Sequence, residues 1–164
     1  MKSVLITGAN SYVGTSFERW MQRYADYKVD TIDMVDGEWR NNSFSGHYAI
    51  FHVAGLAHAD ITNVSDEVRK KYYAINCDMA IETAQKAKKE GVSQFIFMSS
   101  MSVFGESAPV GKQRIISKDT PVSPANFYGD SKVQAEKGLL ELNDDNFKVV
   151  ILRPPRVYGD RCKR

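Results

Sequence analysis

Three small sets of residues in this 164-residue chain have the types and spacing to do chemistry. The first is Tyr128 with Lys132, four positions apart, so that on a helix both share one face and the ammonium can stand close to the phenol or to the ligand it serves. A cation there stabilises phenolate and pulls a pKa of about 10 toward neutrality, which makes a tyrosine a usable general base. The second is the cluster Ser99, Ser100 and Ser102 at the end of an apolar run; such clusters also form ordinary turns. The third is Thr7-Gly8-Ala9-Asn10-Ser11-Tyr12-Val13-Gly14, a glycine turn between an apolar run and a helix-compatible segment. A pyrophosphate can rest on the unpaired N–H groups where such a helix opens. Ser11 stands at the middle glycine position of a dinucleotide fingerprint, so either its hydroxyl donates to a phosphate or its Cβ reduces cofactor affinity.

These residues need strands and helices to place them. Val4-Leu5-Ile6 opens the chain as a strand, and a helix beginning near Gly14 carries Phe17, Trp20 and Met21 at helical spacing. Tyr27–Asp33 alternates as a second strand with Asp33 at its C-terminal end, 19 residues after Gly14. An acid there accepts hydrogen bonds from adenosine ribose hydroxyls and repels the extra phosphate of NADP, although Asp30 and Asp36 compete for the register. The polar stretch from Gly37 to His47 is too short for a helix-and-strand unit. Tyr48–Gly55 reads as a strand buried on both faces, ended by Ala54 and Gly55, whose small side chains let a flat ligand lie against the backbone. His52 within it reads as a packed core histidine rather than a catalyst.

Asp66 to Glu90 reads as one long helix, with Val68, Tyr72, Met79, Thr83, Ala84 and Ala87 near one face. Asn76 lies on that buried side, either tying down a neighbouring strand or ordering the active-site backbone. Gln94–Met98 is a further buried strand, and the length of segment 106–122 favours a functional or substrate-covering loop. Ser123 as N-cap with Pro124 at the first position opens a helix through Leu140 that carries Tyr128 and Lys132. Lys148–Arg153 reads as a sixth strand, leading to Pro154-Pro155 and Tyr158-Gly159.

With 43% hydrophobic and 26% charged residues the chain has the composition of one globular domain with a real core. Its 22 basic and 20 acidic residues are well mixed, so no basic stripe suits a nucleic acid or a membrane surface, and an anionic ligand must be held by a local site. Cys77 and Cys162 match no metal or redox spacing. A glycine reached too soon for a signal peptide, and no run of about 18 apolar residues, lead to the expectation of a reduced cytoplasmic protein.

Taken in order, Thr7-Gly8-Ala9 through Gly14, Asp33, His52-Val53-Ala54-Gly55, Asn76, Ser99 to Gly105, Tyr128-Gly129-Asp130-Ser131-Lys132 and Arg153-Pro154-Pro155 with Tyr158-Gly159 resemble the extended short-chain dehydrogenase/reductase family, in its NAD-dependent epimerase/dehydratase group acting on nucleotide sugars. The resemblance implies an α/β fold, a Rossmann-like doubly wound parallel sheet in three α/β/α layers. It implies NAD, in preference to NADP, held by Gly8, Asn10, Ser11, Tyr12, Val13, Gly14, Asp33, Ala54, Gly55, Asn76, Lys132, Pro154 and Pro155. Tyr128 is then the acid/base, Lys132 lowers its pKa and holds the nicotinamide ribose, and Ser100, chosen over Ser102 by its place in the motif, hydrogen-bonds the reacting sugar oxygen.

The implied activity is that of a nucleotide-sugar 4-epimerase, UDP-glucose 4-epimerase-like. Tyr128 takes the proton of the C4 hydroxyl as a hydride leaves that carbon for the nicotinamide, and the hydride returns to the other face of a 4-keto sugar. An NAD(P)H-dependent 4-ketosugar reductase and a non-catalytic NAD(P)-binding module are the alternatives. Met101-Ser102 stands where dehydratases of the family carry Asp-Glu, and the motif lacks the cysteine of C3 and C5 epimerases, so neither activity is expected. The resemblance further implies a UDP-sugar as substrate and a homodimer through the helices at 66–90 and 123–140. Family members continue past Tyr158-Gly159 with another strand and a smaller substrate domain. Residues 1–164 are accordingly expected to be a truncated cofactor domain that binds NAD weakly and turns over little sugar nucleotide.

Overall fold

The apolar runs become five strands, β1 (Lys2–Thr7), β2 (Tyr27–Ile32), β3 (Ala49–His52), β4 (Gln94–Met98) and β5 (Lys148–Leu152). All pair in parallel, in the order β2-β1-β3-β4-β5. The structure, a computed structural model, describes residues 1–57, 64–106 and 108–159; Cys162 lies outside them. Helices α1 (Tyr12–Met21), α2 (Asp66–Tyr73), α3 (Met79–Lys89) and α4 (Phe127–Leu140) fill the crossovers.

Side chains alternate across a sheet, so each strand serves two cores. Leu5, Ile50, Phe95 and Phe97 face α3 and α4, where Ala80, Ala84, Ala87 and Ala135 let the helix backbones come close and Leu139 fills the remaining space. Val4, Ile6, Ala49 and Phe51 face α1 through Val13 and Phe17, whose ring meets Phe51 edge-on with centroids 4.7 Å apart. The result is the expected three-layer, doubly wound α/β arrangement. No helix among the described residues is long and apolar enough to cross a membrane.

Four local expectations are corrected. Lys148–Leu152 is the fifth strand rather than a sixth, since four strands precede it among the described residues and Gly37–His47, as its shortness implied, holds only the 3-10 turn Glu38–Asn41. That polar segment nonetheless supplies Trp39 and Phe44, both fully buried and stacked at 6.3 Å, and Glu90 on the chain following α3 accepts the Phe44 N–H at 2.5 Å. The long helix is interrupted by one π-helical turn, Ala74–Asp78, and Val68 in its first stretch is 37% exposed rather than buried. Helix α1 starts at Tyr12, two residues before Gly14, because Ser11 caps it. Helix α4 is capped by Asn126, whose Oδ1 accepts the Gly129 N–H at 2.9 Å, while the Ser123 N–H donates to Val103 O at 2.9 Å and tethers the approach.

Candidate active site

Because the sheet is parallel, the carboxyl ends of all five strands lie on one rim, where open α/β sheets take ligands. At the end of β1 the chain turns at Gly8 with φ +102°. A Cβ there would lie 2.9 Å from Ala54 N and 3.0 Å from Ala54 Cα, so the turn requires both the left-handed backbone and the bare α-carbon, and the predicted pair Gly8 and Ala54 touch. The Gly8 and Ala9 N–H groups donate to Ile32 O at 2.9 and 3.0 Å, which brings Asp33 beside the turn. Asp33 is exposed, and one of its oxygens accepts the Val35 N–H at 2.9 Å; Asp30 is engaged with Lys28 and His47, and Asp36 with the Glu38 N–H.

Ser11 takes a role outside both sequence readings. Its Oγ accepts the Gly14 N–H at 3.0 Å and caps α1. Among the described residues the N–H groups of Asn10, Tyr12 and Val13 meet no acceptor. They are the open donors of a helix N-terminus. A backbone cradle that a Cβ would fill, with free amides at its mouth, fits the pyrophosphate of a dinucleotide.

Across the rim, Ser100 caps the 3-10 turn Met101–Phe104, its Oγ accepting the Ser102 N–H at 3.1 Å and donating to Ser102 Oγ at 3.1 Å. Helix α4 approaches this turn so closely that a Cβ on Gly129 would sit 2.6 Å from Ser102 O. That approach brings the adjacent Tyr128 to Ser100. Burial raises the Tyr128 phenol above its ordinary pKa, and the Ser100 hydroxyl, close enough to stabilise the anion, opposes the rise. Burial and Ser100 thus set the phenol, and Lys132 is engaged elsewhere. Lys132 Nζ is turned inward, donating to Met98 O at 3.0 Å and lying 4.7 Å over the Phe97 ring. Burial brings the Lys132 ammonium down to about 8 despite the opposing charge of Glu136.

A Cβ at position 55 would lie 2.9 Å from Asn76 Oδ1 and 3.3 Å from Lys132 Nζ, so Gly55, Asn76 and Lys132 converge. Asn76, set in the π turn, accepts the Leu56 N–H at 2.8 Å and donates to Leu56 O at 3.0 Å and to Ser131 Oγ at 3.3 Å. Its amide thus orders the backbone after β3. Pro154 is joined to the same rim, its carbonyl accepting the Met101 N–H at 3.0 Å, and Pro155 follows it into solvent. His52 is fully buried, bonded to Thr7 Oγ1 at 2.7 Å and stacked on Phe95 and Phe97. Burial, with the Lys132 charge, lowers its pKa to about 3, so it is a neutral core side chain.

Sequence reading misses one group. Glu136 is 3% exposed and holds Ser99 and Arg153. A charged residue four positions after Lys132, on a stripe otherwise buried, is the signal that could have found it.

Residues 4–164 match the NAD dependent epimerase/dehydratase family. The chain belongs to that family. It is 31% identical over 179 residues to a UDP-glucose 4-epimerase of Vibrio cholerae, covering 99% of this chain and 54% of that protein. Against a UDP-glucose 4-epimerase of Bacillus subtilis the identity is 30% over 139 residues, 81% of this chain and 38% of that protein. The chain therefore spans about half the length or less of these curated relatives. In fold it is similar to the UDP-glucuronic acid 4-epimerase from Bacillus cereus in complex with NAD, with TM-score 0.79 and 21% identity, over 98% of this chain and 58% of that one. A dTDP-4-dehydrorhamnose reductase from Clostridium acetobutylicum shares the family fold at TM-score 0.71 and 21% identity, over 91% and 52% of the two chains.

Proposed function

We propose that this chain is the cofactor-binding portion of an NAD-dependent nucleotide-sugar 4-epimerase acting on a UDP-sugar. The reading is carried by the rim itself, where Ser100, Tyr128 and Lys132 stand at the ends of β4 and on α4, on the same edge as the Gly8 cradle. The relatives support the choice of substrate class. Gly8, the amides of Asn10, Tyr12 and Val13, the cap Ser11 with Gly14, Asp33, Ala54, Gly55, Lys132 and the Pro154-Pro155 backbone would hold the cofactor, with Asn76 ordering the wall. Held there, NAD would supply a reversible hydride acceptor for the sugar carbon.

The protein's own part is proton transfer and alignment. Tyr128 exchanges a proton with the C4 oxygen. Its raised pKa keeps it protonated in the free protein, the form that donates to a ketone. As a base it needs a cation, and Lys132 one turn away is the one that supplies it. Ser100, whose hydroxyl donates to Ser102 Oγ at the rim, would turn its proton to the reacting oxygen.

Calorimetry with NAD and NADP, together with product stereochemistry from UDP-glucose, tests this. NAD binding that exceeds NADP binding is expected, and in a full-length version Tyr128→Phe should remove epimerisation by about a hundredfold or more while leaving NAD affinity largely intact. Turnover unaffected by Tyr128→Phe would sink the role given to the phenol. Absence of any NAD binding would sink the cofactor reading.

A further inference from the structure

Beside Lys132 the fold buries a carboxylate that the proposed chemistry does not use. Glu136 lies one helical turn beyond Lys132 on α4 and is 3% exposed. A buried carboxylate without partners is costly, so its partners indicate what it does. Glu136 Oε1 accepts the Ser99 hydroxyl at 2.5 Å and Arg153 Nε at 3.0 Å, and Oε2 accepts Arg153 Nη2 at 2.6 Å. Ser99 is the first residue past β4, and its N–H donates to Leu152 O at 2.7 Å; Arg153 is the first past β5. One carboxylate thus joins α4 to the ends of two strands, immediately before Ser100 and Pro154. The Arg153 guanidinium also lies 5.0 Å over the ring of Phe104, in the turn that Ser100 caps.

We propose that Glu136 is a positioning residue of the site: one helical turn beyond Lys132, its carboxylate clamps the ends of β4 and β5 against α4 through Ser99 and Arg153. The proposal rests on the functional reading above for the meaning of the site, but its test needs no turnover. Among the described residues the groups facing Lys132 are few. On α4 they are Tyr128 a turn before and Glu136 a turn after; from β3 comes neutral His52, from β4 the Met98 carbonyl and Phe97 ring, and from the π turn Asn76. Asp130 is turned away to Tyr73 Oη at 2.6 Å. Among the described residues Glu136 is therefore the acid that opposes desolvation of the ammonium, and Arg153 competes for its charge.

The test is a pH titration of the Lys132 side chain by NMR in the whole chain carrying labelled lysine, with Lys132→Met to assign the resonance. Glu136→Gln keeps the shape of the side chain and removes the charge, and should move the Lys132 midpoint down by about one pH unit. Arg153→Met frees the carboxylate from its competing cation and should move the midpoint up. Ser99→Ala, which leaves the ion pair in place, should leave it unchanged, while amide exchange at Ser100 and Met101 accelerates in all three variants as the clamp loosens. A merely structural Glu136 would not give opposite shifts. Unchanged amide exchange at Ser100 and Met101 in Glu136→Gln and Arg153→Met, or an unchanged Lys132 midpoint in both, would overturn the proposal. Should Glu136→Gln fail to fold, Arg153→Met, at a side chain 33% exposed, still decides. Loss of the Tyr128→Phe effect would overturn the epimerase reading while leaving these shifts intact, so the two failures are distinguishable.

Discussion

His52 is the residue through which acid should first reach the fold. Its folded pKa is about 3 and its unfolded value 6.5, so the unfolded chain binds the extra proton between those limits. The stability it contributes is fully present above pH 6.5 and is lost as pH falls toward 3, up to about 5 kcal/mol over that window. Urea midpoints measured from pH 7 to 4 should fall steeply, and His52→Phe, which keeps a ring between Phe95 and Phe97, should flatten the slope. An equal slope in the variant would remove His52 from the account. Lys132 acts in the alkaline range. Its folded pKa of about 8 lies below the unfolded 10.5, so the ammonium destabilises the fold below pH 8 and the cost is relieved as pH rises toward 10.5. Lys132→Met should therefore stabilise the chain at pH 7, by about 3 kcal/mol before the loss of the bond to Met98 O is counted. A lower denaturation midpoint would contradict that balance. A residue kept at such a cost is one that a site needs.

The π turn and the tight approach of α4 are the elements that set the site. The π turn aims Asn76 at Leu56, so Asn76→Leu leaves a backbone N–H and C=O without their partners at the end of the β3 segment. The expected cost is about 2–4 kcal/mol in urea unfolding, with faster exchange of the Leu56 amide; a change below about 0.5 kcal/mol would mean that water takes both groups over. Gly129→Ala puts a Cβ where Ser102 O stands, 2.6 Å away, and should cost about 1–3 kcal/mol by forcing α4 off the 3-10 turn. The distinctive readout is separation of Tyr128 from Ser100, visible as altered phenol chemical shifts. Helix α4 could be read from its pattern, but its start could not. Ser123 and Pro124 carry the local signals of a helix start, whereas Asn126 is the cap because the Ser123 amide is drawn to Val103, a contact twenty residues back in the chain.

At the scale of the whole molecule the two faces of the sheet are unequally covered. Among the described residues helices α3 and α4 cover one face while only α1 packs on the other, and β5 is an edge strand with Leu152 40% exposed. Tyr12, Phe17, Trp20, Met98 and Pro154 line a cavity of about 380 Å³ on that second face. Exposed apolar edges pair with other chains. Sedimentation of the chain is expected to show concentration-dependent association that Leu152→Lys weakens. Association untouched by that change would place the contact elsewhere, with Leu140 on α4, 52% exposed, the next residue to alter. The homodimer through α2, α3 and α4 is the arrangement the second outcome would favour.

The sequence by itself determined the apolar runs that become the strands, though not their count, the glycine turn at Gly8 and the helical spacing of Tyr128 and Lys132, because apolar runs, an i,i+4 spacing and a short turn are properties of neighbouring residues. The tertiary structure decided what those residues meet. Only packing could show that a polar stretch buries Trp39 and Phe44, that Ser11 caps a helix rather than facing outward, and that Tyr128 is raised by burial while Lys132 turns to Met98. Glu136 finds Ser99 and Arg153 at separations of 37 and 17 residues. No local pattern encodes such a meeting, since desolvation and charge pairing depend on distances that exist only after the sheet has brought the strand ends to one rim.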